Sequence, residues 1–99
     1  MTMLNNKKII ILSNIISNNL AFRDTADDLF NYINKLEESS IIIDFSNIQS
    51  ITASFAHQYM INKEKSQKNI IERNIPNNII KMFEFIENRR VKIRKIAKT

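Results

Sequence analysis

The segment 41–60, IIIDFSNIQSITASFAHQYM, constrains this chain more than any other stretch. Three β-branched residues, Ile41, Ile42 and Ile43, run into Asp44 and Phe45, the pattern of a strand buried inside a sheet. A polar break follows, and Thr52-Ala53-Ser54 opens a stretch whose Phe55, Ala56, Tyr59 and Met60 fall on one helical face. A buried strand thus delivers a hydroxyl to a helix N-terminus. There the free backbone N–H groups and the helix dipole hold an anion, including a phosphate carried by that hydroxyl. The pattern points to a switchable binding module rather than an enzyme.

The flanking sequence supplies the layers. Residues 7–12 predict a first strand, continuous and apolar enough to be buried on both faces. Residues 13–20 read equally as a hairpin extension or a loop. From Asp24, the spacing of Ala26, Leu29, Phe30, Ile33 and Leu36 predicts a helix, with Thr25 and Asp28 at capping-box spacing. Asp24, Asp27 and Asp28 read as first-turn acids that complement the helix dipole, not as a metal site. A central strand over 40–45, a helix over 52–65 and a strand over 69–73 follow. Pro76 suits the first turn of a third helix, whose buried stripe is Ile79, Ile80, Phe83 and Ile86. The alternation of Val91, Lys92 and Ile93 leaves open whether that helix continues or a strand follows. The order predicts an α/β fold, a small mixed or mostly parallel sheet covered by about three helices.

Composition removes whole classes of chemistry. Among 99 residues there is no glycine and no cysteine. Gly-rich phosphate loops, dinucleotide fingerprints, disulfides and thiolate chemistry are therefore excluded. Tight left-handed positions must fall to Asn, with Asn88 or the pair Asn18-Asn19 as candidates. His57 is the only histidine, so no His-pair metal site exists, and neither metal nor cofactor is expected. No apolar run approaches the roughly 20 residues needed to span a bilayer, and no signal peptide is evident, so the expectation is a soluble cytoplasmic protein.

The net charge is +5, but it is unevenly placed. Arg89, Arg90, Lys92, Arg94, Lys95 and Lys98 lie beyond residue 88, where there is no acid, and the remainder is near −1. The expected division is a domain over residues 1–88 and a basic tail over 89–99. Such a tail offers an alternative function as a nucleic-acid contact, made by Arg89, Arg90, Lys92, Arg94 and Lys95.

Three stretches carry a resemblance. They are Phe22-Arg23 with Ala26 and Leu29; Asp44-Phe45 with Ile48, Ile51 and Ser54-Phe55-Ala56; and Asn74 with Ile79 and Met82. Together they resemble the STAS fold of anti-sigma-factor antagonists, and more closely the small STAS-like domains of unknown function. The resemblance implies a non-catalytic regulatory and protein-interaction module. It also implies a protein partner such as a GHKL-type ATPase or kinase, and phosphorylation at Ser54 that controls docking. The antagonists carry an Asp-Ser-Ser-Gly-like run where this chain has Thr52-Ala53-Ser54-Phe55.

Each candidate residue also has a structural reading. Ser54 and Thr52 are either helix-starting hydroxyls that satisfy orphan N–H groups or part of a switch. His57, three residues past Ser54, is either a base or an ordinary helix-surface histidine. Arg23 either binds a phosphate or pairs with a carboxylate. Asp44 either ends its strand by binding loop amides or faces the same edge as Ser54. The six phenylalanines are expected mostly in the core.

Overall fold

The computed structural model describes residues 7–98, with side chains described for residues 7–93. The chain forms β1 (Lys7–Ile11), α1 (Leu12–Ile15), β2 (Asn19–Leu20), α2 (Arg23–Lys35), β3 (Ser40–Asp44), β4 (Ser50–Ile51), α3 (Ala53–Lys65), β5 (Asn69–Arg73) and α4 (Asn77–Lys98). It is an α/β protein with two parallel sheets, one of three strands in the order β1-β3-β5 and one of two strands, β2-β4.

The strand order dictates where the helices go. From β1 to β3 to β5 the chain steps across the sheet in one direction. Right-handed crossovers then place α2 and α3 on the same face. That face is the core. Ile10, Ile41 and Ile43 from the sheet pack with Leu29, Phe30 and Ile33 of α2, with Phe55 and Tyr59 of α3, and with Ile79 of α4. Tyr59 stands at its centre, its ring 5.3 Å from Phe30, 6.0 Å from Phe45 and 5.4 Å from Phe83 between centroids.

Among the described residues no helix covers the other face. The register pairs Ile9 with Ile42 and Ile42 with Ile71, so these three residues form one row across it. Ile9 is 52% exposed and Ile71 38%. Burial of β1 on both faces is thus corrected. A doubly covered parallel sheet needs a reversal in strand order that sends one crossover to the opposite side, and this chain makes none. Ile42 is buried between its two neighbours yet lies outside the main core cluster.

Local expectations are corrected at several points. Residues 13–20 form neither a hairpin nor a plain loop, but a single helical turn and a two-residue strand. Helix α2 starts at Arg23 after Phe22, with no side-chain cap, so Thr25 and Asp28 lie inside the helix instead of boxing its end. Left-handed backbone falls at Asn47 (φ 67°) and Asn74 (φ 57°). Asn is the residue expected there, but at other positions than Asn88 or Asn18-Asn19. Phe22 is 72% exposed and Phe85 is also exposed, so two of the six phenylalanines leave the core. Val91, Lys92 and Ile93 continue α4, which crosses residue 88 without interruption. Among the described residues no helix is long and apolar enough to cross a membrane.

Candidate functional site

Two residues of parallel ladder build the site. β2 and β4 pair Asn19 with Ser50 and Leu20 with Ile51, immediately before α2 and α3. Thr52 continues the ladder by donating its N–H to the Leu20 carbonyl at 2.9 Å. Its Oγ1 donates to the Ala21 carbonyl at 2.7 Å and accepts the Phe55 N–H at 3.1 Å. One hydroxyl therefore caps α3 and ties that cap to the residue before Phe22. The starts of α2 and α3 are fixed side by side, and their positive dipole ends share one rim of the molecule.

Ser54 is the second residue of α3. It is exposed, and its hydroxyl makes no hydrogen bond among the described residues. Thr52 satisfies the Phe55 N–H and the Thr52 carbonyl takes the Ala56 N–H at 3.0 Å. The Ala53 and Ser54 N–H groups are the orphan donors that every helix start leaves. Capping is thus the work of Thr52, and Ser54 is left over.

Beside Ser54 lies a groove of about 310 Å³, lined among others by Arg23, Ser54, His57, Ile86, Arg89 and Arg90. Three cations from two other helices line the same groove as the hydroxyl. Among the described residues no acidic side chain lines the groove. Arg23 occupies the first position of α2, where a cation opposes the dipole. It is exposed and has no ion-pair partner among the described residues. Arg89 likewise has no carboxylate partner among them; its guanidinium carbon sits 5.6 Å from the centre of the Phe85 ring, one turn earlier on α4.

Arg90 differs. Its Nη2 donates to Glu64 Oε1 at 2.7 Å and its Nη1 lies 3.6 Å from Glu87 Oε1. The hydrogen bond to Glu64 is the main cause that raises its pKa above the usual arginine value, against an opposing effect of burial. Its Nη1 is buried without a hydrogen-bond acceptor among the described residues.

On the other side of α4 is a second groove, of about 470 Å³, with Tyr59, Met60, Ile75 and Phe83 within it and Glu72 and Glu84 among its acids. Here the Tyr59 hydroxyl donates to Glu72 Oε2 at 2.6 Å, and Lys63 Nζ donates to Glu72 Oε1 at 3.0 Å. Burial, then the Glu72 charge, pushes the Tyr59 phenol well above its ordinary value. The phenol therefore stays protonated and donates.

The structure brings Ser54, Arg23 and His57 together, with Thr52 adjacent as the cap. It does not bring Asp44 to the groove. Asp44 Oδ1 accepts the Ser46 N–H at 2.8 Å, the Ser46 hydroxyl at 2.6 Å and Asn74 Nδ2 at 3.2 Å. These bonds, the Ser46 hydroxyl first, lower its pKa below 3.8. It closes the turn after β3. Arg89 and Arg90, set apart in sequence as tail residues, belong to the groove; Lys92 is exposed and not among its lining residues. The side chains of Arg94 and Lys95 lie outside the described residues.

The sequence carried one signal for this convergence. Ile79, Phe83, Ile86, Arg90 and Ile93 alternate spacings of four and three, which places Arg90 on the packed stripe of a continuing helix. Comparison of the chain with protein-family models, with curated proteins and with solved structures returns no match.

Proposed function

We propose that this chain is a non-catalytic, STAS-like regulatory module that docks a protein partner through the loop after β3 and the start of α3, residues 46–57. One observation carries the reading: Ser54 presents an exposed hydroxyl, free of hydrogen bonds among the described residues, at a helix start whose capping another residue performs. A side chain that stability does not use is available for recognition. The partner class is a GHKL-type ATPase, a kinase or another regulator, and the setting is cytoplasmic.

Modification of Ser54 is the switch in this reading. With ATP as donor, Ser54 Oγ attacks the γ-phosphorus and an O–P bond forms. The bond from that phosphorus to the β,γ-bridging oxygen breaks, ADP leaves, and the hydroxyl proton passes to a base on the kinase. About −1.5 to −2 charges then sit where two helix dipoles and Arg23 accept them, while an acidic partner surface is repelled. Incubation with a kinase of that class and ATP tests the step by intact mass: one added phosphoryl group on the native chain and none on Ser54→Ala is the expected result. Unaltered partner affinity in Ser54→Asp, with the fold retained, would remove the switch.

The second reading, nucleic-acid contact through α4, is favoured by the exposure of Arg89 and Lys92 on a continuous helix. It requires binding that falls steeply with salt and with Arg89→Ala/Lys92→Ala.

A further inference from the structure

The groove beside Ser54 has a composition that capping and packing leave unexplained. Three guanidiniums line it, brought there by the first residue of α2 and by one turn of α4. A lone surface cation is often unpaired, as Lys35 and Lys81 are among the described residues, but guanidiniums gathered in one concavity repel one another unless acids stand near. Glu64 and Glu87 engage Arg90, and Glu72 engages Lys63. Yet Arg23 and Arg89 remain without a carboxylate among the described residues, and Arg90 keeps a buried Nη1 without an acceptor. Arg23 also stands where the α2 dipole disfavours a cation. A local rule broken at one place without a compensating contact is the mark of a site that awaits a counter-charge.

We infer that this groove is a phosphomonoester site, in which Arg23 and Arg89 clamp a phosphoryl dianion against the Ala53 and Ser54 N–H groups. Guanidinium forks match phosphate oxygens two at a time, which a single lysine cannot do. The stacking of Arg89 on Phe85 holds one fork partly in place before binding. Ile86 and Ile93, also in the lining, receive the organic part of the ligand. Two sources supply the same chemistry: a phosphate carried by Ser54 itself, or one brought by a separate molecule. The first source rests on the functional reading above and gives it a mechanism. The phosphate would join the starts of α2 and α3 to the middle of α4, so that α4 carries the state of Ser54. The second source stands without that reading.

The test is titration of the ¹⁵N-labelled full chain with inorganic phosphate at fixed ionic strength, with sodium chloride as the control. Expected are saturable shifts at the Ala53, Ser54 and Phe55 amides and at the Arg23 and Arg89 side chains. Arg23→Ala and Arg89→Ala should each weaken binding about tenfold to hundredfold. Both positions are exposed, and circular dichroism checks that the variants fold. Ser54→Ala should still bind inorganic phosphate, which separates this inference from Ser54 modification. A chain made with phosphoserine at position 54 resolves the sources: loss of inorganic phosphate binding shows that its own phosphate fills the groove, and retained binding assigns the groove to a separate ligand. Phosphate shifts no larger than those from chloride, or unchanged in the Arg23→Ala/Arg89→Ala double variant, would overturn the inference. So would tight binding of an oligonucleotide that phosphate fails to displace. Absence of any kinase for Ser54 would sink the switch and leave the inorganic phosphate result standing.

Discussion

The two grooves that flank α4 differ in charge and in how that charge is matched: glutamates line one and arginines the other. In the acidic groove three of the four lining glutamates are matched, Glu84 being without a partner among the described residues. Glu72 takes the Tyr59 hydroxyl and Lys63, while Glu64 and Glu87 take Arg90. In the basic groove Arg23 and Arg89 have no carboxylate among the described residues, and the Ser54 hydroxyl has no hydrogen bond there. Arg90 borders the basic groove but is paired with acids of the other. The difference teaches that one side of α4 spends most of its polar groups on holding the fold, while the other leaves Arg23, Arg89 and Ser54 available. Substitutions on the two sides should therefore separate into losses of stability and losses of binding.

The largest stability effect is expected at the centre of the acidic side. Tyr59→Ala removes the ring shared by Phe30, Phe45 and Phe83, and should cost about 3–5 kcal/mol in urea unfolding. Next is Glu72→Ala, which strands the buried Tyr59 hydroxyl and should cost about 1–3 kcal/mol. In Tyr59→Phe the cost of the same substitution should shrink, because no buried hydroxyl remains to be stranded; an unchanged cost would mean that Glu72 acts through something else. Thr52→Ala, at the hinge between the two helix starts, should cost about 0.5–2 kcal/mol through its lost cap. Smallest are Arg23→Ala and Arg89→Ala, within about 0.5 kcal/mol, as expected of exposed side chains without a carboxylate partner among the described residues. A large stability loss at either arginine would break the comparison.

Acid sharpens it further. The Asp44 carboxyl has its pKa lowered below 3.8 in the folded chain, so the unfolded chain binds its proton first. Its contribution to stability is complete above the unfolded value and is lost as pH falls through the lower folded one. Acid unfolding below about pH 4 should therefore be shallower in Asp44→Asn, with phosphate binding near neutral pH unaffected, since Asp44 is not among the residues of the basic groove.

Much of the framework was legible because isoleucine runs and helical spacing carry it. The strand over residues 69–73 and the helix ending at Lys65 emerge where the pattern places them, and Thr52-Ala53-Ser54 does open a helix. What escaped has physical reasons. A two-residue strand such as β2 or β4 leaves no period to read, so the ladder that aligns α2 with α3 is invisible in sequence. Ile9 and Ile71 look like core residues by hydropathy, and only the one-directional strand order exposes them. Of the two readings open for Asp44, binding loop amides holds, through the Ser46 N–H, while the turn at Asn47 and the β4 segment separate it from Ser54. Arg89 and Arg90 read as part of a basic tail because the charge run starts there, whereas α4 carries them back to the start of α3.

The claim on which the rest stands is that unmatched arginines and the leftover Ser54 hydroxyl form a single site, and one titration addresses it. In the full chain carrying phosphoserine at position 54, ³¹P NMR against pH reports the second ionisation of the phosphate, ordinarily near about 6. Arginine neighbours and a helix start stabilise the dianion, so that midpoint should move clearly below the ordinary value and return towards it in Arg23→Ala/Arg89→Ala. An unshifted midpoint, or a shift that survives both substitutions, would contradict the account.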